Sequence, residues 1–91
     1  MQNRSPQDIW EAALGDLRLQ VSKSNYRTWL ERTTGLNYEG DQFVIGVPNT
    51  FAAEYLETNL RSLVEKTLIS LIKRDTRVIF RVEAPYQNPL D

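Results

Sequence analysis

The chain has 91 residues, of which 41% are hydrophobic and 25% charged, with a formal net charge of −1. These values describe one domain with a single modest core, well away from disorder, and they argue against nucleic acid as the default partner. Cysteine and histidine are absent, which excludes disulfides and thiolate metal sites and removes the commonest general base.

The opening stretch MQNRSPQDIW is polar and lacks the apolar segment of a signal peptide. No apolar run reaches the roughly 18 residues needed to cross a membrane. The expected location is cytoplasmic. Ser5-Pro6-Gln7-Asp8 is a helix start: Ser5 can cap, Pro6 suits the first helical position, and Asp8 lies in the first turn. Ile9, Trp10, Ala13, Leu14 and Leu17 come next on an arc of about 140°, wider than a thin core-facing stripe.

Ser22-Lys23-Ser24 breaks this helix and caps a second, whose narrow apolar face carries Tyr26, Trp29, Leu30 and Thr33. Trp29 and Leu30 are assigned to the core on that basis, and Gly35 is read as the helix stop. LNYEGDQFVIGV then predicts a hairpin around Glu39-Gly40-Asp41, with Gly40 at positive φ. Phe43, Ile45 and Val47 alternate toward the core.

After Pro48, Asn49 caps a third helical region with two phases. Phe51, Ala52, Tyr55 and Leu56 centre on one direction. Leu60, Leu63, Val64, Thr67, Leu68 and Leu71 centre about 120° away, so a break or strong kink is expected at Glu57–Asn59, with Thr58 or Asn59 capping the second piece. TRVIFRVE closes the domain as a strand, with Val78, Phe80 and Val82 on one face and Arg77, Ile79 and Arg81 on the other. Residues 1–83 form the expected domain and residues 84–91, with two prolines, a linker or loose tail. The order is α-α-β-β-α(α)-β, an α+β fold with a three-stranded sheet covered by helices on one face.

The chemistry of catalysis is missing. The four glycines form no phosphate-cradling loop or dinucleotide fingerprint, and no histidine exists to activate a serine or threonine. Glu54 and Glu57 are three apart on a helix and could share a metal, but they are read as a solvated face. No metal site, cofactor or enzymatic activity is expected. Lys73, Arg74, Arg77 and Arg81 form a basic run, so the alternative function is a small single-stranded nucleic-acid binder using a basic sheet face. Ile79, where a stacking ring would be needed, favours an arginine-solubilised surface instead.

IWEAALGDLRLQVSKSNYRTWL, GVPNTFAAEYLETNL and the closing RVIFRV together resemble the N-terminal domain (domain I) family of the bacterial replication initiator DnaA, over about residues 8–83. Trp10, Trp29 and the Pro48-Asn49-x-Phe51 turn carry the resemblance. It implies a KH-like α+β domain that works by protein contact: self-association, and recruitment of the replicative helicase and of regulators of initiation. A free-standing relative would show the same residues. The resemblance places Trp10, with Leu14 one turn on, at a self-association position, and implies a weak homodimer. The phase of Trp10 alone fits a core residue equally well. It places Phe51 toward helicase or regulators, with Asn49 and Ala52 alongside and Asn25 and Tyr26 at the start of the second helix. Asn25 departs from a glutamate found in some members, which weakens the electrostatic part of that contact. Nucleic-acid binding through this domain is expected to be weak or absent, and no membrane partner is implied.

Overall fold

A computed structural model describes residues 4–83; the expected linker at 84–91 lies outside them. The first helix, α1 (Pro6–Gln20), starts as its sequence dictates, with Ser5 Oγ accepting the Asp8 N–H at 3.0 Å. Its buried side is Trp10, Ala13, Leu14 and Leu17. Ser22 Oγ then accepts the Asn25 N–H at 3.0 Å and opens α2 (Lys23–Asn25), which widens at once into a π-helical turn over Tyr26–Leu30.

The strands are β1 (Thr34–Glu39), β2 (Gln42–Val47) and β3 (Arg77–Val82), in the order β1-β2-β3. β1 and β2 are antiparallel, joined at Gly40, whose φ of 62° is the left-handed conformation anticipated for it. β2 and β3 are parallel, which requires a crossover; α3 (Thr50–Tyr55), a second π turn (Leu56–Leu60) and α4 (Arg61–Ile72) supply it. Phe43, Ile45, Val47 and Val78 point from the sheet into one core with Trp10, Leu17, Leu30, Leu56, Val64 and Leu68. The α+β architecture and the covered face agree with the sequence reading.

Two local expectations need correction. Gly35 does not stop a helix. It lies in β1, where a Cβ would come within 2.7 Å of Trp10 Cβ and closer still to the Pro6 carbonyl oxygen. The glycine lets the start of α1 lie directly on the strand, and Gln7 Oε1 accepts the Gly35 N–H there at 2.7 Å. The expected cap at Thr58 or Asn59 is also absent: α4 begins after Leu60 with no side-chain cap, and Asn59 Nδ2 instead donates to the Tyr55 carbonyl at 3.2 Å. The two apolar phases are real, but the chain reconciles them through the π turn. One extra residue in the helical ladder rotates all later positions by about 100°, close to the offset in the sequence. Leu56 before the turn and Val64 and Leu68 after it thereby reach the same core.

Trp10 is wholly buried. Its indole N–H donates to Thr33 Oγ1 at 2.9 Å, and the Thr33 hydroxyl donates at 2.6 Å to the Leu30 carbonyl at the end of the π turn, which also accepts the Thr33 N–H at 3.1 Å. The Trp10 and Phe43 rings lie 6.3 Å apart, tilted by 42°. Thr33→Val keeps the shape and removes both bonds, so urea denaturation should show a loss of about 1–3 kcal/mol; unchanged stability would mean the relay contributes nothing. For the crossover, Thr58→Ala should change stability by less than about 0.5 kcal/mol, since Thr58 is exposed. Deleting Thr58 should collapse the melting transition by rotating Val64 and Leu68 out of the core, and a deletion that melts like the parent would refute the role of the π turn.

Candidate functional site: an aromatic surface at the start of the crossover

The crossover begins where β2 ends at Val47 and Pro48 prevents a further strand bond. Asn49 has extended backbone, and its Oδ1 accepts the Ala52 N–H at 2.8 Å. This cap fixes the first turn of α3 and with it the direction of Phe51. The phenyl ring is 79% exposed. One turn on, Tyr55 stacks face to face on Trp29, with ring centroids 4.1 Å apart and planes within 6°. Phe51 and Tyr55 are four apart and so share a helix face. Trp29 in turn lies one turn beyond Asn25 on the second helix. Phe51, Tyr55 and Trp29 thus form a surface running across two helices, with the stacked pair as its floor.

The sequence-predicted contacts divide on burial. Phe51 and Asn49 are on the surface, and Asn25 and Tyr26 are half-buried. Ala52 is buried, so it seats α3 against the core and cannot touch a partner directly. Tyr26 belongs to a different recess, of ≈ 440 Å³, lined with Arg18, Lys23, Arg27 and Glu31, and the Arg18 guanidinium lies 5.1 Å from its ring centroid. Trp10 and Leu14, expected at a self-association face, are both in the core. Their arc on α1 is wide because β1 and α4 both pack against it. An indole enclosed on all sides offers nothing for a second copy to grip.

Trp29 moves the other way. The narrow apolar face assigns it to the core, yet it is half-buried, because the π turn alters the spacing on which that face is drawn. Tyr55 is the contact residue that sequence reasoning misses; its i, i+4 spacing from Phe51 is the available signal.

The basic residues do not converge. Lys73 ends α4 in the left-handed conformation, φ 71°. Arg74 turns back over the Tyr38 ring at 5.8 Å and donates to the Gly40 carbonyl at 3.4 Å. Arg77 and Arg81 do share the outer sheet face with Ile79 between them, and Arg81 pairs with Glu83 at 3.3 Å. Glu54 and Glu57 are both exposed, and Glu57 pairs with Arg61 at 2.8 Å. Among the described residues, no group of three or more histidine, cysteine, aspartate or glutamate side chains could hold a metal ion. No helix among them is long and apolar enough to cross a membrane.

The sequence is similar to that of known proteins. The family profile described as "DnaA N-terminal domain" matches residues 7–70. The "Chromosomal replication initiator protein DnaA" of Thermomicrobium roseum is 39% identical over 74 residues, covering 81% of this chain and 16% of that protein. The chain therefore spans about a sixth of the length of this relative. With the profile covering most of the chain, and with its fold and its Pro48-Asn49-x-Phe51 turn in place, the chain belongs to the DnaA N-terminal domain family.

Proposed function

We propose that this domain is a protein-interaction module of bacterial replication initiation, acting in the cytoplasm without catalysis of its own. The observation that carries the reading is Phe51, a large apolar side chain held 79% exposed by a formed helix cap. An isolated phenyl in water adds nothing to the fold. Beside the Trp29–Tyr55 stack it extends an aromatic patch on a surface rimmed by polar Asn25 and Asn49, the composition of a contact centre. Membership of the family supports the assignment to initiation.

The partners proposed are the replicative helicase and proteins that regulate initiation. Phe51 is the anchor that enters a partner pocket. The Trp29–Tyr55 stack supplies a rigid floor with little conformational entropy left to lose, and Asn25 contributes hydrogen bonding in place of charge. The Asn49 side chain is engaged in capping, so it acts by holding Phe51 in position. A contact of this kind depends mainly on apolar burial and should be only mildly sensitive to salt.

Phe51→Ala should keep the urea midpoint of the parent and weaken helicase or regulator binding by about 2 kcal/mol or more, measured by calorimetry. A variant that binds normally would remove the anchor, and one that unfolds would return Phe51 to the core. Raising salt from about 50 to 200 mM should change partner affinity by less than tenfold, whereas a phosphate-binding surface with several contacts would lose far more. A steep loss, with binding to single-stranded oligonucleotides abolished by Arg77→Glu, would favour the basic-face alternative.

A further inference from the structure

β3 is the last strand of the sheet, and half of its backbone groups face away from it. The Arg77 N–H donates to the Asp41 carbonyl and the Glu83 N–H to the Val47 carbonyl, each at 2.7 Å. Residues 77, 79, 81 and 83 therefore bond toward β2, while 78, 80 and 82 present their groups to the outer edge. Glu65 Oε2 accepts the Val78 N–H at 2.9 Å. Among the described residues, the N–H groups of Phe80 and Val82 and the carbonyls of Val78, Phe80 and Val82 have no partner. Natural sheets block such edges with a proline or an inward lysine, and β3, RVIFRV, carries neither. Beside the edge lies a recess of ≈ 380 Å³, lined by half-buried Ala53 and Phe80 and by exposed Glu54, Glu57 and Thr58. Glu57 pairs with Arg61, whereas Glu54 has no ion pair among the described residues.

We propose that this strip docks an extended segment of another protein, one with lysine on alternate residues and apolar side chains between them. The free N–H and carbonyl groups of β3 supply a backbone ladder, and the side chains on its two sides supply the selection. On the recess side, lysine stems lie along Phe80 and Ala53 while their ammonium groups reach Glu54 and Glu57. On the outer side, the apolar side chains cover Ile79, which is 38% exposed. The Val78 N–H stays on Glu65, so no bond of the domain has to break. The occupant is foreign, because the chain's own continuation over residues 84–91 holds no lysine or arginine, and Pro85 and Pro89 cannot donate to a ladder. A nucleic-acid strand fits this recess badly, since both glutamates repel phosphate. Ala53 lies about 200° around α3 from Phe51, so the contact is separate from the aromatic surface and goes beyond the role proposed for it.

The probe is a blocked peptide of about seven residues, alternating valine and lysine. Titrated into the whole chain, it should shift the Phe80 and Val82 amide resonances and slow their hydrogen exchange, with a dissociation constant between about 10 µM and 1 mM. N-methylating only the lysine amides or only the valine amides should give unequal results. One phase should abolish binding and the other spare it, because only alternate N–H groups of the peptide face the edge. Val82→Pro removes a free donor without touching the β2 ladder and should raise the dissociation constant about tenfold. Glu54→Lys should raise it about threefold, and, since Glu54 is exposed, should melt as the parent does. No shift at about 1 mM peptide, equal effects of the two methylation phases, or undiminished binding by Glu54→Lys would each overturn the proposal. So would a single-stranded oligonucleotide that moves the same amides, or a parent dimer that Val82→Pro abolishes, giving the edge to nucleic acid or to a second copy. Phe51→Ala should bind the peptide as the parent does, so the edge and the aromatic surface can fail independently.

Discussion

The hydrogen-bond relay from Trp10 to Thr33 to the Leu30 carbonyl is the constraint on which the arrangement rests. It joins the first helix, 23 residues away, to the end of the second helix and the residue just before β1. A buried indole N–H needs an acceptor, and a helix-terminal carbonyl needs a donor. The Thr33 hydroxyl answers the first and shares the second with its own backbone N–H, which reaches the same carbonyl at 3.1 Å. Gly35, two residues on, removes the Cβ that would hold α1 away from β1, so the tryptophan ring can reach Phe43.

The functional surface is a by-product of that geometry. Leu30 goes into the core, so Trp29 beside it is left at the boundary, half covered by Tyr55. Ala52 and Leu56 seat the start of the crossover, so Phe51 beside Ala52 is left outside. Each aromatic of the patch is sequence-adjacent to, or one turn from, a residue the core has claimed. The patch is held by rigid elements on both sides, as a contact surface that keeps its shape before binding must be. The sheet shows a similar division. One face is covered by helices, while the outer edge of β3 is closed at Val78 by Glu65 and, among the described residues, has no partner beyond it.

The second π turn falls where the apolar pattern of the crossover changes direction, and it lets a continuous helical segment serve two packing directions without the caps and loop that a break would need. In the crossover this permits α3 to pack near the end of β2 and α4 to pack against α1. The cost is a stretch with poorer hydrogen-bond geometry, placed where Glu57, Thr58 and Asn59 face solvent.

Element order, the caps at Ser5, Ser22 and Asn49, the Gly40 turn and the two-phase crossover were all legible in the residues, because each is set by neighbours within a turn or two along the chain. The turn bearing Phe51 was legible too, through its proline, its cap and its likeness to a family. Trp10 and Trp29 were not, and their roles exchanged. Both sit on apolar helical arcs, and periodicity reports that an arc is apolar without reporting how much of it will be covered. That depends on how close a neighbouring segment comes, which for α1 is decided by a glycine in a strand 25 positions after Trp10 and for the second helix by a widened turn. Local periodicity and capping chemistry determined what the elements are; the contacts made across the chain alone decided which aromatic rings were left for a partner.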